Sequence, residues 1–214
     1  MRSVRVLYEK FGPMKFISHL DMNRFMIRMV RVSNIPVWYS EGFNPHPYIT
    51  FALPLSLGFD SSYEVMDIRL DDDNYSNSQV FDALSSVLPD GIKLISVSDP
   101  VMKAGEINAA KFIVTFEKIS ENLKNSIESF FQLDEILTEK KSKKGKINLV
   151  DISKMIYDYK FEENELIIRL AAGGNNNLNP KLLLDAFARY FDISLPKYSI
   201  KRIMIYADCK KPFI

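Results

Sequence analysis

Two histidines, a tyrosine and three arginines hold most of the chemistry this sequence offers. His19 and His46 are the only histidines in 214 residues, and they stand 27 apart. An imidazole with a reference pKa of ~6.5 can give or take a proton near neutrality. Together with Tyr39, the pair could form a metal-independent RNA-cleaving site. Such a site needs a base for the 2′-hydroxyl, an acid for the leaving oxygen and cations for the phosphate. Arg24, Arg28 and Arg31 could supply the cations, since each guanidinium can grip a phosphate through two N–H groups. The same groups could equally form a binding surface without chemistry, or a solvated face in which Asp21 pairs with Arg24 and Arg28. Two histidines are too few for a metal site unless Asp21 or Glu41 completes it, and none is expected.

The elements around these residues follow from local signals. Arg2 to Tyr8 alternates apolar and charged residues as a half-buried strand does, and Gly12-Pro13 breaks it. Ser18 suits a helix N-cap, with Asp21 at the third helical position. That helix should run to about Ser33, stopped by Asn34 and the approach of Pro36. Leu20, Met22, Phe25, Met26, Ile27, Met29, Val30 and Val32 cover most of its surface, and Asp21, Arg24, Arg28 and Arg31 form one polar stripe. His46 lies in Asn44-Pro45-His46-Pro47, where two prolines fix the backbone and Gly42 permits a turn.

Further along, Val37 to Ser40, Tyr48 to Leu53, Tyr63 to Leu70 and Ile92 to Val97 read as extended, with a helix capped by Ser78 between the last two. The order strand–helix–strand–strand–helix–strand is that of a ferredoxin-like sandwich. Ser98 to Ala110 reads as a linker. The order then recurs: a strand over Lys111 to Phe116, a helix over Ser120 to Phe131, and extended segments over Lys154 to Lys160 and Leu166 to Ala171. A helix over Pro180 to Phe191 and a strand over Ile200 to Ala207 complete it. A hairpin is inserted, from Glu135 to Lys140 and Lys146 to Asp151. The expected fold is α+β, two tandem ferredoxin-like sandwiches over residues 1–99 and 110–214, the second carrying the basic hairpin.

Net charge is +1, so the whole-molecule field favours no partner, but its distribution is uneven. Residues 1–50 hold seven Lys/Arg against three Asp/Glu. Lys141, Lys143 and Lys144 lie in a lysine-rich hairpin tip that could touch nucleic acid or merely solubilise the loop. Five phosphate contacts there would give a salt slope of only about −3.5 on single strands. One cysteine excludes an internal disulfide and a four-cysteine zinc or iron–sulfur site. Gly173-Gly174 lacks a following Lys-Ser/Thr and is no phosphate loop. No cofactor is expected. The start has no apolar signal core and no segment approaches ~18 apolar residues, so a cytoplasmic chain with no membrane contact is expected.

One long run carries a resemblance. Phe16-Ile17-Ser18-His19-Leu20-Asp21, Arg24, Tyr39 through Pro47 (Tyr-Ser-Glu-Gly-Phe-Asn-Pro-His-Pro), Phe51 through Gly58 (Phe-Ala-Leu-Pro-Leu-Ser-Leu-Gly) and Tyr63-Glu64-Val65-Met66-Asp67 resemble the bacterial radical-SAM-linked domain family of unknown function. That family occurs as free-standing proteins and as C-terminal extensions of radical-SAM enzymes with a B12-binding-type domain. The resemblance implies a radical-SAM enzyme as partner. With one cysteine, this chain cannot hold such an enzyme's three-cysteine iron–sulfur site, so radical chemistry would belong to the partner. The expected architecture is also similar, at the level of fold alone, to CRISPR RNA-processing endoribonucleases.

Three readings stand. In the first, the chain is a non-catalytic RNA- or substrate-binding accessory protein, probed at Asp21, Arg24, Arg28, Arg31, Ser40, Gly42, Phe43, Asn44 and the three lysines. In the second it is an endoribonuclease using His19 and His46, with Tyr39. In the third it is a protein-interaction subunit that binds no RNA.

Overall fold

The computed structural model describes residues 1–141, 147–174, 176–208 and 211–214. The first half contains β1 (Arg2–Lys10), α1 (His19–Val32), β2 (Ile49–Phe51), β3 (Asp60–Leu70), α2 (Asn77–Ser85) and β4 (Ile92–Ser98). The second contains β5 (Ile107–Phe116), α3 (Glu121–Phe131), the hairpin β6 (Leu137–Lys141) and β7 (Ile147–Asp151), β8 (Ile156–Glu162), β9 (Glu165–Ala171), α4 (Pro180–Phe191), β10 (Tyr198–Ala207) and the short β11 (Lys211–Pro212). The fold is α+β, as expected.

In the first half β1 pairs antiparallel with both β3 and β4, and β2 pairs antiparallel with β3, giving the order β4-β1-β3-β2. In the second, the order β10-β5-β9-β8 repeats that arrangement. Each half therefore has the strand order that a βαββαβ sandwich requires. The β6–β7 hairpin stands apart as a two-stranded sheet.

The halves share one sheet. The edge of β3 away from β1 is divided: Met66 and Ile68 pair with β2, while Asp60 and Ser61 run parallel to Lys201 and Arg202 of β10. All four helices lie on one side of it. Val4, Val6, Tyr8, Met66 and Ile68 meet Met22, Met26, Val80 and Leu84 from α1 and α2. Arg202, which reaches Glu64 on that side, is in register with Phe112, and Phe112 packs in the same core as α3 and α4.

Some boundaries differ from the sequence reading. The connection between halves covers residues 99–106, because β5 begins at Ile107 and buries Ala109 and Ala110. Alanine is a weak strand former, so this stretch reads as a linker until its burial is seen. Ser76, not Ser78, caps α2, in a reciprocal box with Gln79. Around Pro36, Pro45 and Pro47 the extended segments reduce to single bridges, Val37 with Leu70 and Tyr39 with Pro47, since proline has no N–H for a ladder.

Candidate functional site

Helix α1 is the backbone of the candidate site. Ser18 caps the helix: its Oγ accepts from the Asp21 amide at 3.2 Å and donates to the Asp21 carboxylate at 2.7 Å, which holds that acid in place. Asp21 also takes Arg24 at 3.2 Å. The helix buries Met22, Met26 and Val30 and turns Arg24, Arg28 and Arg31 outward, all exposed. Arg28 has no hydrogen-bond or ion-pair partner among the described residues. Arg31 donates to the carbonyl of Pro45 at 3.3 Å, tying the far end of the helix to the loop that contains His46.

That loop closes on itself. The Ser40 amide bonds the His46 carbonyl at 2.9 Å, the His46 amide bonds Ser40 Oγ at 3.3 Å, and Ser40 Oγ lies 2.6 Å from His46 Nδ1. With its backbone and its ring both bonded to Ser40, His46 braces the turn. Residues 41 to 46, including Gly42 and Asn44, are exposed; Gly42 has a φ of +141°, and Phe43 at the tip is wholly bare. Behind the tip, Trp38 and Tyr48 meet edge to face at 5.4 Å, with the Arg69 guanidinium 4.8 Å from the Trp38 ring. Tyr39 is exposed at the loop's base.

The two histidines do not meet. His19 is the first residue of α1 and packs edge-on against Phe51 at 5.3 Å. His46 follows Pro45, which Arg31 holds at the other end of the helix. Twelve residues at 1.5 Å each separate His19 from Arg31, about 18 Å. What the structure lines up instead is Arg24, Arg28 and Arg31 on the outer face of α1, followed by the Ser40–His46 loop; His19 lies on the inner face with Met22 and Phe51. Lys141 ends β6; its side chain, and Lys143 and Lys144 altogether, lie outside the described residues.

A second cluster lies at the His19 end, where the halves join. Arg202 of β10 donates to Glu64 Oε1 through Nε at 3.0 Å and Nη2 at 2.5 Å, and to the carbonyls of Leu53 at 2.8 Å and Pro54 at 3.3 Å. Both side chains are buried. The Phe51–Gly58 run therefore wraps the second half's arginine with its carbonyls, and Ser56 Oγ accepts from Asn179, the N-cap of α4, at 2.9 Å. Beside this pair Tyr8, Lys10, His19, Met22, Phe51, Pro54, Leu55 and Glu64 enclose a cavity of ≈ 10 Å³. Burial, with Glu64 adding to it, pushes the Tyr8 hydroxyl well above its ordinary value, and burial pulls Lys10 down.

Sequence reasoning missed Tyr8, Lys10 and Arg202. The signal was there: Lys10 continues the inward phase of Val4, Val6 and Tyr8, and Arg202 that of Ile200, so each puts a cation where an apolar residue belongs. Glu64 was visible as part of the Tyr63–Asp67 motif, with no role attached to it.

Comparison with known proteins places the chain in a family. It belongs to the family described as "Uncharacterized protein conserved in bacteria (DUF2344)", whose model matches residues 3–180. No curated protein matches. Among solved structures, a chain in the crystal structure of a Cbf5-Nop10-Gar1 complex is similar at 7% identity and a TM-score of 0.45. The likeness covers 93% of this chain and 47% of that one, so this chain spans about half its length. Among the described residues, no helix is long and apolar enough to cross a membrane.

Proposed function

We propose that the chain is a non-catalytic, cytoplasmic RNA-binding accessory protein that works beside a radical-SAM enzyme in RNA modification. The observation that carries the RNA half is the line along α1. Exposed Arg24, Arg28 and Arg31 lead from the helix start to a loop whose bare Phe43 offers a face for stacking. Arginines that track a backbone, beside an aromatic on which any base can lie, are the combination that single-stranded RNA takes. The partner half rests on the resemblance of the Phe16–Asp67 run and on the single cysteine, too few to hold an iron–sulfur site within these residues. The endoribonuclease reading has less behind it, because His19 packs on Phe51 and His46 on Ser40, with no contact between the two imidazoles.

The protein-interaction reading keeps one observation of its own. Phe16 and Leu20 at the start of α1, and Leu57 of the run that wraps Arg202, are more than half exposed. The test is retention of total bacterial small RNA by the purified protein, without metal, at two salt concentrations. Each arginine changed to alanine should lower the salt slope by about 0.7. Phe43→Ala should weaken binding by about 1–3 kcal/mol with no loss of thermal stability. Retention that Arg24→Ala, Arg28→Ala and Phe43→Ala all leave unchanged would remove RNA from this surface. Capture of a radical-SAM enzyme by protein that retains no RNA would favour the interaction subunit.

A further inference from the structure

The cavity at the start of α1 has the makings of an anion site. Its lining includes Tyr8, a residue 1% exposed, whose hydroxyl makes no hydrogen bond among the described residues. Lys10, 3% exposed, spends one of its three N–H groups, on the Ile17 carbonyl at 3.1 Å. Glu64 in the same wall is bonded by Arg202 and nearby Asp60 by Lys15, so Lys10 feels both carboxylates but bonds neither. The helix adds N–H groups: Asp21 and Met22 give their amides to Ser18, while those of His19 and Leu20 have no acceptor among the described residues. Unmatched N–H groups at a helix start attract negative charge. The Asp21 carboxylate does not fill this role, since it is turned to Ser18 and Arg24.

Size limits what enters. A cavity of ≈ 10 Å³ has room for one oxygen atom and no more. A tetrahedral anion can place one oxygen there and keep the others at the mouth, where His19 is exposed. A phosphate diester inside a chain has two free oxygens and one charge; a terminal phosphate has three and up to two. Arg24, Arg28 and Arg31 lie on the opposite face of α1 from His19 and Met22, so a strand seated here reaches them by passing round the start of the helix.

We propose that the cavity walled by Tyr8, Lys10, His19 and Glu64 receives the terminal phosphate of an RNA strand whose backbone lies along Arg24, Arg28 and Arg31. This rests on the RNA-binding reading above, and it makes the chain a reader of strand ends. Internal segments of the same strand would bind through the arginines alone.

The experiment compares short single-stranded RNAs of one sequence carrying a 5′-phosphate, a 3′-phosphate or hydroxyl at both ends, by fluorescence anisotropy. A hydrogen bond to a charged group predicts that one of the phosphorylated forms binds about tenfold tighter or more. Tyr8→Phe keeps the buried ring and should erase that preference while leaving the affinity for hydroxyl-ended RNA unchanged. Equal affinity of all three RNAs, or a preference that survives Tyr8→Phe, overturns the proposal. If no RNA binds, the arginine line has failed instead, and inorganic phosphate decides the cavity. Saturable shifts of the His19 and Leu20 amides that vanish in Tyr8→Phe would keep an anion site with a free phosphate as its ligand; no shifts would abolish it.

Discussion

Arg202 and Glu64 show what a buried ion pair does in this chain. The guanidinium spends its N–H groups on one carboxylate oxygen and on two carbonyls of the 51–58 run, so it fastens a segment as well as a charge. Removing one partner strands the other in the interior. Arg202→Met should therefore cost about 3–5 kcal/mol of stability, read by urea unfolding. The double variant Arg202→Met/Glu64→Leu should recover much of this, because no charge is left behind. A double variant as unstable as the single would mean that the carbonyl contacts, not the ion pair, hold the segment. Of these residues the sequence makes the histidines and the arginine stripe plain. It hides the cluster beneath, whose members come from β1, β3 and β10 and meet only when the sheet is assembled.

At the scale of elements, local chemistry tells most. The N-caps Ser18 and Ser120, the start of α4 at Pro180 and the alternation of β1 were all legible, because each depends on residues within a turn or two. The 37–48 region was less so, since prolines remove ladder donors and the segment is held by single bridges to distant partners. The β6–β7 hairpin adds a testable hinge. Asp151 accepts at 2.9 Å from the amides of Ser153 and Ile136 and from the Ser153 hydroxyl, and clamps the hairpin's foot. The backbone bond from Ser153, then that from Ile136, holds its carboxyl below the ordinary value of 3.8. A carboxylate depressed by folding stabilises above its unfolded value, and that contribution fades as pH falls through the lower folded one. The Ile136 and Ser153 amide resonances should therefore move together below about pH 3.8, and Asp151→Asn should abolish the transition. Amides that stay fixed to lower pH would show that the foot is closed by other contacts.

For the molecule as a whole, the two halves, each with its own strand order, meet where β3 pairs with β10. That junction could not be read from the chain, because a sheet edge divided between β2 and β10 has no local signature. Tyr63 donates to the Phe213 carbonyl at 2.8 Å, and Arg5 lies over the Phe213 ring at 4.3 Å, so Phe213, just after β11, also returns to the first half. Heat should accordingly unfold the protein in one transition, with Trp38 fluorescence and a probe at Tyr190 giving the same midpoint. Two midpoints would show that the halves melt separately.

The divided edge of β3 also governs how the gene can be cut. A fragment ending near residue 99 would leave Asp60 and Ser61 with unpaired backbone groups, and one beginning near 107 would do the same to Lys201 and Arg202. Raw strand edges recruit other chains. Either piece made alone is expected to precipitate, whereas the two made together in one cell should find each other and form a soluble non-covalent complex.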